Sequence, residues 1–74
     1  MSRKLEFLLY DEEAPYCFDK GAWSLFSMGG ADESTWLEIE NPDTAFRIEA
    51  NSRIISEWEA RSLAEARKRE FEEG

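Results

Sequence analysis

Carboxylates are the side chains of this 74-residue chain that could do chemistry: 17 residues are Asp or Glu, nine are Lys or Arg, and the net charge is −8. Paired carboxylates can transfer protons or hold a metal, and 11–13 is the densest group. Acids on an exposed strand face, however, lack the burial that separates proton affinities. No acid lies in a recognisable calcium loop, so we expect no metal site.

The other groups that commonly carry catalysis are missing. The chain has no histidine, which excludes the usual Ser and Cys triads and histidine-ligated zinc. Cys17 stands alone between two aromatic residues, which is typical of a buried side chain rather than a nucleophile. Gly29 and Gly30 lack the Lys-Ser/Thr of a phosphate loop and indicate only flexibility. We therefore expect a protein that is not an enzyme and uses no cofactor.

The negative charge is concentrated in the first two thirds of the chain. Between Leu5 and Phe46 there are ten acidic residues and one basic residue, whereas 51–74 contains six acidic and five basic residues. An acidic surface attracts basic proteins and repels the phosphate backbone. We expect a basic nucleic-acid-binding protein as the partner and no direct binding of nucleic acid. The alternative is that the charge serves only solubility.

The predicted partner-binding surface combines acids with one tryptophan as its anchor. On the predicted strands, Trp36 shares an outward face with Glu38, Glu40 and Glu49, together with Leu8 and Tyr10. Alternatively, a second layer or a partner subunit covers this face. The predicted partner-binding residues are Glu6, Asp11, Glu12, Glu13, Asp32, Glu33, Trp36, Glu38, Glu40 and Asp43.

The composition predicts one folded domain over residues 1–74. Its 42% hydrophobic and 14% aromatic content distinguishes it from a disordered acidic tail. One cysteine excludes an internal disulfide and fits a reducing compartment. No apolar run is long enough to span a membrane, and the first residues lack the apolar segment of a signal peptide. We expect a cytoplasmic protein that does not bind membranes.

Alternation of apolar and polar residues predicts strands in the first fifty residues. Leu5, Phe7 and Leu9 face one side of a strand over 4–10. Residues 16–18 are predicted to pair with 22–26 across a turn in which Gly21 supplies a positive φ. A further hairpin is predicted to pair 35–40 with 44–49 through a turn at 41–43.

From about Ser52 the hydrophobic period becomes helical. We predict an amphipathic helix over about 52–71, with Asn51, Ser52 and Ser56 as alternative N-caps. Its predicted apolar stripe comprises Ile54, Ile55, Trp58, Ser62 and Ala66, and its predicted ion pairs are Glu57–Arg61 and Glu65–Arg69. The predicted fold is α+β: a small antiparallel sheet of three to four strands, in an acidic body over about 3–50, with one C-terminal helix packed on a face.

A small, acidic, histidine-free chain with a strand-rich body and one helix resembles the phage-encoded anti-CRISPR inhibitors that act as DNA mimics. The whole chain is similar to inhibitors of the type I-C system, through its architecture and surface charge rather than a motif. The resemblance implies a monomeric inhibitor of the Cascade complex in the bacterial cytoplasm. Its implied partner is the large subunit that reads the protospacer-adjacent motif, where Arg and Lys contact a short duplex.

Two other functions fit the same sequence. The first is an immunity or antitoxin-like protein that caps a basic nuclease or toxin through the same acidic surface. The second is a structural subunit that self-assembles through a strand edge and the face predicted to carry Trp36, Leu8 and Tyr10.

Overall fold

The computed structural model describes residues 4–73 as an α+β fold, which confirms the predicted class. In chain order the elements are β1 Leu5–Tyr10, β2 Ala14–Asp19, β3 Ser24–Met28, a 3-10 turn Glu33–Thr35, β4 Trp36–Glu38, α1 Pro42–Ala50, β5 Ser52–Ile55 and α2 Glu57–Glu73. The antiparallel sheet has the order β4-β3-β2-β1-β5. The described residues thus form five strands rather than three to four, and a second helix.

The first three strands form an antiparallel meander. β1 pairs with β2 so that Phe7 lies opposite Cys17, and β2 pairs with β3 so that Cys17 lies opposite Phe26. The predicted alternation in β1 is confirmed, because Phe7 and Leu9 join one buried cluster and Leu8 joins another. The predicted hairpin between 16–18 and 22–26 is confirmed in part, because 16–18 lies opposite 25–27 and residues 22–23 belong to the turn.

The turn between β2 and β3 is built differently from the prediction. No described glycine has a positive φ, whereas Trp23 has a φ of 54°. The carboxylate of Asp19 closes the turn by accepting hydrogen bonds from the backbone N–H groups of Gly21 at 3.0 Å and Ala22 at 3.3 Å. A side-chain acceptor therefore shapes this turn, and Trp23 takes the left-handed conformation expected of Gly21.

The hairpin predicted between 35–40 and 44–49 is wrong. β4 pairs with β3 instead, and 44–49 lies inside α1. The side chain of Asn41 accepts hydrogen bonds from the N–H groups of Asp43 and Thr44, and Pro42 occupies the first turn of the helix. These are helix-start features rather than a β-turn, since an Asn N-cap satisfies free donors and proline loses nothing there.

Removing the Asn41 cap is expected to destabilise α1. Asn41→Ala should cost about 1 kcal/mol of the free energy of unfolding, because two N–H groups lose their acceptor. For a domain of this size, that loss corresponds to a fall in Tm of about 4–8 °C, measurable by thermal circular dichroism. Asn41→Asp is the control, because Asp caps as well as Asn. An equal loss in both variants would contradict the capping role.

The C-terminal helix begins later than predicted. Ser52–Ile55 is strand β5, which pairs with β1 and leaves α2 to begin at Glu57. Of the three alternative N-caps, Ser56 caps α2, because its Oγ accepts the N–H of Glu59 at 3.1 Å. Asn51 instead lies at the C-terminal cap of α1. The predicted range of about 52–71 is therefore wrong at its start.

The predicted apolar stripe of this helix is wrong as well. Ala60 and Ala64 are fully buried against the sheet, with Leu63 partly buried beside them. Trp58 is 78% exposed, although it was predicted to lie on the buried stripe. Ala60 and Ala64 define the buried side of the helix, and Trp58 lies about 200° around the helix from Ala60, on the side that faces away from the sheet. The predicted ion pairs Glu57–Arg61 and Glu65–Arg69 are confirmed, at 2.8 and 3.7 Å.

Each face of the sheet is covered by one helix. On the α2 side the buried cluster contains Phe7, Leu9, Cys17, Met28, Trp36, Ile55, Ala60 and Ala64. On the α1 side it contains Leu8, Phe18, Leu25 and Ile48. α1 joins β4, at one edge of the sheet, to β5, at the other. Over residues 4–73, no helix combines the length and apolar character that crossing a bilayer requires.

Candidate functional site

The strand directions place the loops at two opposite ends of the sheet. The turn at 11–13 and the segment 29–35 lie at one end, which we call the upper end. The turn at 20–23 and the segment 39–41 lie at the other, the lower end. A six-residue strand separates these ends by about 20 Å. The predicted partner-binding acids therefore fall into separate groups rather than one surface.

Two glutamates of the upper end are paired with arginines. Glu12 lies 2.7 Å from Arg53 Nε, and Glu13 lies 3.9 Å from Arg67 Nη1. Arg67 also donates to the backbone carbonyl of Glu13 at 3.2 Å. These arginines come from β5 and α2, far along the chain, and they offset the charge that the sequence places in this turn. Asp11 lies in the same turn and is exposed, with a φ of 57°.

The pKa values of two upper-end carboxyls are lowered by hydrogen bonds. The Arg53 side chain, which donates to the carboxylate of Glu12, lowers the pKa of Glu12 below its ordinary value. The backbone N–H of Ser34 lowers the pKa of Asp32 in the same direction. Asp32 is the N-cap of the 3-10 turn, with that bond at 3.1 Å, and Glu33 follows it in the turn. Glu12 and Asp32 thus hold local structure in their charged forms.

Glu6 is a further predicted site residue that pairs within the molecule. It projects from the start of β1, near the lower end on the α1 side, where Lys20 Nζ lies 3.1 Å from its carboxylate. Its side chain is 26% exposed, against 51% for Lys20. Glu6 therefore contributes little unpaired negative charge to the surface.

Four further acids lie towards the lower end, where the pair Glu6–Lys20 also lies. Glu38 ends β4, Glu40 follows it, and Asp43 and Glu49 lie on α1; all four are exposed. In the part of the chain from residue 4 to residue 73, none of these four forms an ion pair. Three of the ten predicted residues, Glu38, Glu40 and Asp43, therefore come together here.

The prediction that Trp36 faces outward as an anchor is wrong. Trp36 is 9% exposed and belongs to the buried cluster on the α2 side. Its ring meets Phe7 edge-on at 6.2 Å, and its Nε1 donates to the carbonyl of Gly30 at 3.1 Å. Arg61 lies over the ring at 5.3 Å. Trp36 shares its sheet face with Glu38 by alternation, as predicted, but α2 covers that face at Trp36.

The face predicted to unite Trp36, Leu8 and Tyr10 does not exist in the structure. Leu8 is buried, and both Leu8 and Tyr10 pack on the α1 side, opposite Trp36. The cause is the wrong prediction of a hairpin between 35–40 and 44–49, which assigned Trp36 to the same face of the sheet as Leu8 and Tyr10. Self-assembly through this face therefore loses its structural basis.

A groove at the lower end combines acids with exposed aromatic rings. It has a volume of about 600 Å³ and opens between α1, the 20–23 turn and the end of β4. We call it the acidic groove; its lining residues are Phe18, Trp23, Ser24, Leu25, Glu38, Ile39, Glu40, Pro42, Ala45, Phe46 and Glu49.

Three residues of the acidic groove are absent from the predicted partner-binding residues, although the sequence predicts Glu49 on the outward face with Glu38 and Glu40. Trp23 is 82% exposed and Phe46 73% exposed, and Glu49 lines the groove from α1. For Phe46 and Glu49 the available signal was the helix start at 41–43, since a helix directs Ala45 and Ile48 inward and leaves Phe46 outside. For Trp23 no local signal distinguished a turn position from a strand position.

The side chains of the lower end suit the binding of a cation. Unpaired carboxylates beside aromatic faces attract cations both by charge and by the quadrupole of the rings. Among the residues that the structure describes, no group of three or more Cys, Asp or Glu side chains is arranged to hold a metal ion.

Comparison of the chain with known proteins gives no match to a family model, to a curated protein or to a solved structure.

Proposed function

We propose that this protein is a non-enzymatic inhibitor that binds a basic nucleic-acid-binding protein through the acids of its lower end. The observation that carries this proposal is that Glu38, Glu40, Asp43 and Glu49 form no ion pair within residues 4–73, whereas Glu12 and Glu13 at the upper end are paired with arginines. Charge that serves only solubility can be spread over the whole surface and does not require a group of acids at one end of the sheet. Glu38 lies on β4, Asp43 and Glu49 lie on α1, and Glu40 lies in the short segment between these elements, so the four carboxylates present a negative surface to a partner.

Electrostatics gives this surface two advantages in binding. Complementary charge accelerates association and excludes partners of the wrong sign. A groove that binds DNA carries Lys and Arg side chains, and each phosphate contact contributes to affinity through charge neutralisation. Carboxylates that bind the same Lys and Arg side chains therefore compete with DNA directly. Binding of this kind weakens as salt concentration rises.

The target that we propose is the type I-C Cascade complex in the cytoplasm of a bacterial host, with the protein acting as a phage-encoded inhibitor. This choice rests on the resemblance to acidic anti-CRISPR proteins. Recognition of the protospacer-adjacent motif depends on a few Arg and Lys contacts with a short duplex, so a small acidic protein has enough surface to block it. Blocking at that step prevents strand opening.

A mobility shift of target duplex DNA by purified type I-C Cascade tests the proposal. With this protein titrated in at fixed salt, we expect the shifted band to disappear near one-to-one stoichiometry. Bovine serum albumin, which is also acidic, is the control for nonspecific charge. An unchanged band at a large excess of this protein would contradict competition at the DNA site. Protection of a basic nuclease from the native host would then favour the immunity-protein alternative.

A further inference from the structure

We propose that the acidic groove binds an arginine side chain of the basic partner, an inference that rests on the proposed function and names the contact at its centre. The occupant is a partner segment that presents a guanidinium group between the exposed indole of Trp23 and the carboxylates of Glu40 and Glu49. Cavity shape, ring exposure and charge each point to this occupant.

The first observation concerns Trp23, which the turn holds at the mouth of the groove. Its ring packs against Phe18 at 5.8 Å with an interplanar angle of 65°, yet 82% of the residue remains exposed. Hydrogen bonds to the Asp19 carboxylate close the turn that carries it. An indole held in this way offers a face to a planar cation without first losing much freedom.

The second observation concerns the charge of the groove. Glu40 and Glu49 both line it, and neither has an ion-pair partner within residues 4–73. Among residues 4–73, no lysine or arginine lines the groove. A cation from another molecule therefore meets two carboxylates in a groove whose described lining contains no base.

The choice of arginine over lysine follows from the combination of aromatic and acidic walls. A guanidinium is planar, stacks on aromatic faces and bonds a carboxylate through two parallel N–H groups, whereas an ammonium is compact and strongly hydrated. The apolar floor formed by Phe18 and Ala45 accommodates the methylene part of the side chain. Arginine is also a residue that nucleic-acid-binding proteins use to contact phosphates and guanine.

NMR titration of the ¹⁵N-labelled protein with a capped Gly-Arg-Gly-Arg-Gly peptide tests this inference. We expect saturable shifts of the Trp23 indole N–H and of the backbone amides at 45–49. The same peptide with citrulline in place of arginine should give no such shifts, because citrulline keeps the shape and loses the charge. Equal shifts with both peptides, or equally large shifts at the 11–13 turn, would overturn the inference.

Variants identify the groove as the binding site. Trp23→Gly removes the ring and suits the positive φ at this position, so the turn should survive. We expect it to weaken peptide binding about fivefold. Trp58→Ala, which removes an equally exposed indole from α2, is the matched control and should leave binding unchanged. Unchanged binding by Trp23→Gly would also overturn the inference.

The two proposals fail in different ways. If the protein competes with DNA for Cascade but the arginine peptide does not bind the groove, the groove inference fails and the inhibitor proposal stands. If the peptide binds the groove as described but the protein leaves Cascade–DNA complexes intact, the inhibitor proposal fails and the groove stands as an arginine site for a different basic partner.

Discussion

Replacing Glu38 and Glu40 together by lysine is expected to weaken competition with DNA for Cascade about a hundredfold. Neither residue forms an ion pair in the described part of the chain, so both carboxylates are available to the basic surface of a partner. Reversal replaces two attractions with two repulsions, and a loss of about 1.4 kcal/mol at each position gives this factor. The measurement is the protein concentration that halves the shifted DNA band.

The matched control is reversal of Glu70 and Glu72, which changes the net charge by the same amount on the last turns of α2. Both residues are exposed, and positive charge there favours the helix dipole. We expect this variant to fold and to inhibit at nearly the wild-type concentration. If both double variants lose inhibition equally, net charge rather than the lower end explains binding. If neither loses inhibition, the proposed surface is wrong.

Replacing Trp36 by alanine is expected to remove most of the free energy of unfolding of this protein. The change removes a buried ring that contacts Phe7, a hydrogen bond to Gly30 and the ring beneath Arg61. Truncation of a buried tryptophan costs about 3–5 kcal/mol. A domain of this length has roughly 5 kcal/mol of stability, so the loss consumes most of it. Urea denaturation followed by far-UV circular dichroism measures the loss.

A second variant separates this structural role from the anchor role predicted by the sequence. Trp36→Phe keeps most of the buried volume and loses the hydrogen bond to the Gly30 carbonyl, so we expect a smaller loss of stability. The folded variant should inhibit as well as the wild type, because the Trp36 ring is buried and not exposed to a partner. A folded Trp36→Phe protein that no longer inhibits would show that Trp36 contacts the partner after all.

Strand β1 and the hairpin of β2 with β3 could be predicted because their signals are local. Leu5, Phe7 and Leu9 alternate with polar or oppositely facing residues, and the turns fall where the apolar pattern breaks. The segment 44–49 was harder, because its apolar residues fit a period of two as well as a helical period. In sequence, Asn41-Pro42-Asp43 suits a β-turn and a helix start equally. The packing of Ala45 and Ile48 in one buried cluster shows that a helix begins here.

The boundary near residue 56 could not be predicted because β5 is defined by a distant partner. Ile55 lies opposite Phe7 across the sheet, so the strand exists through pairing rather than through local propensity. The candidate site could not be predicted for the same reason. Counting residues located the acidic part of the chain, but the pairing of Glu12 with Arg53 and of Glu13 with Arg67 joins residues more than forty positions apart. The acids of the lower end that form no ion pair within residues 4–73 can be identified only after those pairs are known.

The passage of α1 from one edge of the sheet to the other has a consequence for the order of folding. Strands β1 to β4 are neighbours both in sequence and in space, so they close short loops and form early. β5 must pair with β1 across more than forty residues, and α1 docks as the chain returns. We therefore expect α1, which forms one wall of the acidic groove, to be among the last parts of the fold to assemble. By the same energetics, we expect α1 to be among the first parts to open by local unfolding. A partner that binds the groove holds α1 in place and so stabilises the slowest-forming part of the fold.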